Sequence, residues 1–88
     1  MFTDERIKLA MVNAVSKSLE LRELNPNADP EDIMQEVMVK LRIPEKIKIA
    51  AMAAVGKALD YAERTKLTNQ QILHRVTNEL DDIISQLE

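Results

Sequence analysis

The chain has 88 residues, with 12 basic and 15 acidic side chains and a net charge of −3, which is the size of a single domain spanning 1–88. Apolar residues at 45% are enough to fill a core and argue against disorder. With no cysteine and one histidine, His74, a structural zinc site, an iron–sulfur cluster and a thiol nucleophile are excluded, and no cofactor is expected. The acidic balance argues against nonspecific nucleic-acid binding, which rests on clustered Lys and Arg.

The segment Phe2-Thr3-Asp4-Glu5-Arg6 is polar, so no targeting signal is expected. No apolar run approaches the ~18 residues of a membrane span. A cytoplasmic protein is the expectation, and the lack of cysteine fits a reducing compartment.

In chain order, a first helix is predicted over Asp4 to Leu24, capped by Thr3 and ended by Asn25-Pro26-Asn27. Asp29 caps a second helix with Pro30 at its first position and Asp32 in the capping-box slot. Its apolar residues are Ile33, Met34, Val37, Met38 and Leu41. Pro44 suits the first turn of a third helix continuing to about Lys66. Thr68 caps a fourth, with Gln71 completing a capping box. Leu73, Val76, Leu80, Ile83 and Leu87 then follow at coiled-coil spacing. No strand pattern appears.

An internal repeat is the strongest signal. Glu5–Leu24 aligned with Glu45–Arg64 at an offset of 40 gives nine identities in twenty positions, among them Ala10/Ala50, Ala14/Ala54, Val15/Val55 and Leu19/Leu59. Chance resemblance of two amphipathic helices would give two or three, by order of magnitude, so a duplicated helix–loop–helix unit is expected. The first repeat covers about 4–41 and the second about 44–80, with an extension to 88. The predicted fold is all-α: a four-helix bundle of two sequence-related hairpins. Ala10, Ala14 and Ser18, and likewise Ala50, Ala54 and Ala58, lie four apart on one helix face. Small side chains let two backbones approach closely, which sets the first and third helices together at the centre. Gly56, aligned with Ser16, is expected at another close contact. The first and third helices are apolar over more than half their circumference, more than the stripe of ~100° that a monomeric bundle needs. That surplus predicts a homodimer. Met11, Met34, Met38 and Met52 are expected in the core, although methionine also suits an adaptable groove.

Constellations for catalysis are sparse. His74 has Gln71, not Glu, three residues before it, so the Glu-x-x-His metal motif is absent. Ser16, Ser18 and Ser85 lack the glycines of a nucleophile elbow, and one glycine cannot form a phosphate loop. Two charged clusters are the candidate partner surfaces. Lys40, Arg42, Lys46 and Lys48 surround the junction of the second and third helices. Glu79, Asp81, Asp82 and Glu88 crowd the C-terminal turns, where acids oppose the helix dipole.

The stretch Leu73-x-x-Val76-Thr77-Asn78-Glu79-Leu80-Asp81-x-Ile83-Ile84 resembles the signature helix of the small sporulation-control aspartyl-phosphate phosphatases. That family carries Ser-Gln-Glu-Leu-Asp on the second helix of an antiparallel hairpin and acts on a phosphorylated response regulator. The resemblance implies that Glu79 and Asp81 position water or contact the surroundings of the phosphorylated aspartate. Thr77 and Asn78 replace the Ser and Gln, and the first repeat lacks the acids. A helix-turn-helix DNA reader is a third reading, with Thr68-Asn69-Gln70-Gln71 and Arg75 starting a recognition helix, but the loop before it has no glycine. The leading expectation is a small, non-catalytic helical interaction or regulatory module. Its partners are a second copy of itself and an unidentified protein, with no nucleic acid and no membrane.

Overall fold

The computed structural model describes residues 4–87. The expected cap Thr3 and the acid Glu88 lie outside the described residues. Within them the chain forms five α-helices and no strand.

Helix α1 spans Asp4–Leu24 and stops where the Asn25 N–H closes onto the Leu21 carbonyl and Pro26 disfavours helix before it. Helix α2 spans Pro30–Lys40. Asp29 holds the extended N-cap backbone with Pro30 behind it, but its side chain accepts no hydrogen bond, so the capping box expected with Asp32 does not form. At the other end Arg42 takes a left-handed φ of 50°. Its N–H donates to the Val39 carbonyl, and the Ile43 N–H donates to that of Met38. This is a Schellman turn with arginine where glycine is usual, and it folds Ile43 onto the core.

Helix α3 spans Glu45–Arg64. Pro44 is its N-cap instead of its first turn, and Thr65 ends it two residues early by turning extended while its hydroxyl donates to the Tyr61 carbonyl. Helix α4, Asn69–Asn78, begins with the expected capping box. The Gln71 N–H donates to the Thr68 hydroxyl at 3.2 Å, and the Thr68 N–H donates to the Gln71 side chain at 2.9 Å. Thr68→Ala should cost about 1 kcal/mol, read as a melting temperature lower by about 4–8 °C.

The single fourth helix expected through Leu87 is instead two, because the chain breaks at Glu79 before α5, Leu80–Leu87. The Thr77 hydroxyl donates to the Leu73 carbonyl at 2.6 Å, a bond that bends helices. Glu79 then adopts φ −100°, ψ 0°, its N–H reaching the Val76 carbonyl three residues back. Its own carbonyl accepts the first bond of α5, from the Ile83 N–H.

Packing follows from side-chain size. Helices α1 and α3 pack most closely, and their buried faces carry Ala14, Ser18, Ala51, Ala54 and Ala58. The buried Ser18 hydroxyl is satisfied by donating to the Val15 carbonyl at 2.7 Å. This pair forms a central layer with a hydrophobic cluster on each side. On one side Ile33, Val37 and Met38 of α2 meet Ala14, Leu21, Val55 and Leu59. On the other, Ile72 and Val76 of α4 and Leu80 and Ile83 of α5 meet Met11, Val15, Leu19 and Ala54. The result is a compact globule of 37 × 25 × 17 Å.

Some core assignments change. Ile72, not Leu73, begins the buried seam of α4, and Leu87 is exposed. The helix break resets the register that the coiled-coil spacing assumed. Met11 and Met38 are buried and Met34 half-buried, but Met52 faces out. Gly56 marks no tight contact inside the chain: a Cβ there would meet only the Met34 Cε at 3.8 Å.

Candidate functional site

Among the described residues there is no group of three or more His, Asp or Glu arranged to hold a metal ion, and no helix is long and apolar enough to cross a membrane. Of the small-residue positions, Ala14, Ser18, Ala50, Ala54 and Ala58 are buried and Ala10 is half-buried.

The acids expected to cluster are dispersed. Asp81 pairs with Lys8 of α1 at 2.5 Å while 80% exposed, a surface pair worth little. Asp82 is exposed. Glu79 turns the other way, onto α3. It accepts from the Tyr61 hydroxyl and pairs with the Lys57 ammonium at 3.1 Å, and the Arg75 guanidinium lies 5.6 Å from the centre of the Tyr61 ring. The segment Thr77-Asn78-Glu79-Leu80-Asp81, which the phosphatase resemblance would put on one helix, thus straddles the break.

This cluster was missed in the sequence, although its signal was there: Lys57/Tyr61 and Arg75/Glu79 are two i,i+4 pairs on facing helices. Burial raises the Glu79 pKa, but the hydrogen bonds from Tyr61 and Lys57 and the Lys57 charge outweigh it and hold the carboxyl below the usual glutamate range. The same hydrogen bonding with Glu79 raises Lys57 and Tyr61. A general base works best with a pKa near the operating pH, and Glu79 is pushed the other way. Its role in the fold is to fasten the helix break to α3.

A lowered folded-state pKa contributes stability that is present above the ordinary glutamate value, about 4.3, and lost as pH falls through the lowered one. Glu79→Gln should therefore lower the melting temperature near about pH 7, and the loss should shrink as the pH falls through the lowered glutamate pKa. A loss that does not change with pH would show that the charge is not what fastens the break.

The basic group stays together at one corner. Lys40 pairs with Glu36 at 3.7 Å, Lys48 pairs with Glu45 at 3.3 Å, and Arg42 and Lys46 are exposed beside them. Next to this corner lies the largest departure from an ordinary surface. Val39 (75% exposed), Ile49 (67%), Met52 (40%) and Leu87 (45%) line two adjoining grooves. One, of 440 Å³, runs between α2 and α3 past Met34, Met38, Val39 and Met52. The other, of 250 Å³, lies between α3, α1 and α5 and is lined by Ile7, Ile49, Ile84 and Leu87. Ile49 of one groove and Met52 of the other stand one turn apart on the exposed side of α3. The face of α4 is different. Gln70, Gln71, His74, Arg75 and Asn78 border an open concavity of 670 Å³ that Leu67 and Glu79 also line, and between Asn69 and Asn78 there is no acid.

Comparison with family models, with curated protein sequences and with solved structures finds no match to the chain.

Proposed function

We propose that this chain is a small cytoplasmic interaction or regulatory module, without catalytic activity of its own, that presents the outward face of α3 to other proteins. Its partners in this reading are a second copy of itself and another protein. The observation that carries it is a contrast between the two central helices. The outward positions of α1 are Leu9, Val12, Asn13, Ser16 and Glu20, where Val12 is half-buried and the exposed residues after Leu9 are polar. The corresponding stripe of α3 is Ile49, Met52, Ala53, Gly56 and Asp60, flanked by Val39 and Leu87. Exposed apolar area of this kind, rimmed by Lys46 and Lys48, is the usual mark of a protein-binding surface.

The contrast gains weight if the halves arose by duplication of a hairpin, which we also propose. Several aligned positions are alike in burial: Ala14 and Ala54, Val15 and Val55, Ser18 and Ala58, and Leu19 and Leu59 are buried, and Leu9 and Ile49 are exposed, whereas Ile7 and Ala10 are half-buried where Ile47 and Ala50 are buried. Helix α2 touches both α1 and α3, and so does α4. In this reading the half-buried Val12 of α1 corresponds to the exposed Met52 of α3, and the polar Asn13 and Ser16 correspond to Ala53 and Gly56.

The test is site-specific photocross-linking in the native host. A photoreactive residue in place of Met52 should give discrete products, and one in place of Asn13 should not. Equal labelling at both positions, or none at either, would overturn the reading. A second reading, specific DNA contact by α4, is favoured by the row Gln70, Gln71, His74 and Arg75, bordered by the single acid Glu79, which is held by Tyr61 and Lys57. It requires a salt-dependent gel shift that Arg75→Ala removes.

A further inference from the structure

We infer that α3 pairs with α3 of a second copy of the chain, antiparallel about a two-fold axis, with each Met52 seated over Gly56 of the other copy. This rests on the reading of the α3 face as an interaction surface and adds the identity and register of one partner.

The starting point is Gly56. A glycine inside a helix costs about 0.5–1 kcal/mol relative to alanine, and nothing within the chain requires it. Its φ is not positive, and an added Cβ would make only an ordinary contact with the Met34 Cε at 3.8 Å. The aligned position in α1 holds Ser16, so a side chain is accepted at the equivalent place. Beside Gly56 lies a hollow of 210 Å³ on the outside, bordered also by Pro30, Met34 and Leu59 and rimmed by the acids Glu31, Asp60 and Glu63. One turn away on the same stripe stands Met52, 40% exposed, with a flexible thioether suited to filling an irregular hollow.

A protrusion and a hollow four residues apart on one helix face become complementary to themselves under a two-fold axis passing between them. Only the antiparallel arrangement does this, and it fixes the register. With Met52 opposite Gly56 of the other copy, Lys48 falls opposite Asp60 of the other copy. Both ends of α3 carry mixed charge, Glu45 with Lys46 and Lys48 in the first turn and Asp60 and Glu63 with Arg64 in the last two, which leaves a net positive start and a net negative end. A parallel pair would set Lys48 against its own copy, which like-charge repulsion opposes. Glu45 and Glu63 meet at the outer ends of the antiparallel pair, where solvent screens them. The existing partners of Lys48 and Asp60, Glu45 and Arg64, are exposed intrahelical pairs and hold them only weakly. Val39 and Leu87, on either side of the stripe, extend the apolar contact.

Sedimentation equilibrium of the purified full chain from micromolar to millimolar concentration tests this. The mass should rise from 10.0 kDa towards twice that value. Gly56→Leu, which fills the hollow from within, should remain monomeric with an unchanged helical circular-dichroism spectrum. Lys48→Glu should weaken the dimer about ten-fold or more, and adding Asp60→Lys should restore it. A chain that stays monomeric at millimolar concentration, a Gly56→Leu variant that dimerises as well as the parent, or a charge exchange without rescue would each overturn the inference. If the chain is monomeric while position 52 still cross-links to a different protein in the host, this inference fails together with the self-association in the proposed function, and the α3 face stands as a surface for another protein.

Discussion

Ala54→Leu is expected to lower the melting temperature by roughly 5–20 °C, the largest loss from any single small-to-large change on the surface between α1 and α3. Ala54 is fully buried in the centre of α3, in the cluster that holds Met11, Val15 and Leu19 of α1. Three added carbon atoms have no space between two helices brought together by alanine and serine. They must therefore force off-rotamer side chains or push the helices apart, at a cost of about 1–3 kcal/mol or more. Each kcal/mol moves the midpoint of a domain this size by about 4–8 °C. Ser16→Leu, on the exposed stripe of α1, is the control and should cost little. Thermal denaturation followed by circular dichroism reads both. If Ala54→Leu melts with the parent, the small residues do not set the helix separation.

The second large effect is the loss of Ile72. It is 1% exposed and is the first anchor of α4 against the central pair. Ile72→Ala should cost about 2–5 kcal/mol, from lost transfer energy and from the cavity left behind. That is a large share of the roughly 4–13 kcal/mol expected for a chain this long. Leu73→Ala should cost clearly less, because Leu73 is half-buried and lies at the edge of the same cluster. The coiled-coil spacing read from the sequence implies the opposite order. Urea denaturation of the two variants therefore decides which residue carries α4.

Much of the fold was legible because it is set by local chemistry. Helix α1 begins and ends where its apolar pattern and Asn25-Pro26 place it, and the Thr68–Gln71 capping box forms as the spacing implies. The central pairing of α1 with α3 was legible in the alanine and serine positions. What escaped depends on tertiary partners. Asn78-Glu79 carries no Gly or Pro, and the break there is held by Tyr61 and Lys57, eighteen and twenty-two residues away in the chain. Arg42 in a left-handed turn has no sequence mark, since the residue that favours that conformation is glycine. Met52 could not be assigned by hydrophobicity alone: its helix offers more apolar surface than the fold covers, and which part is left over depends on where α2 and α5 come to rest.

The acids were grouped by their closeness in sequence, yet the helix break rotates Glu79 away from Asp81 and gives them different partners. For the same reason α4 itself carries no acid: Asp81 and Asp82 belong to α5, and Glu79, at the edge of the α4 face, is paired with Lys57.

Because the alanine-lined layer divides the oily interior into two compartments, neither compartment depends on the other for its own filling. Fraying of α2 would uncover one while the far side stays dry, and detachment of α4 with α5 would do the converse. Amide protons of α1 and α3, which belong to both compartments, should then be the last to exchange with solvent.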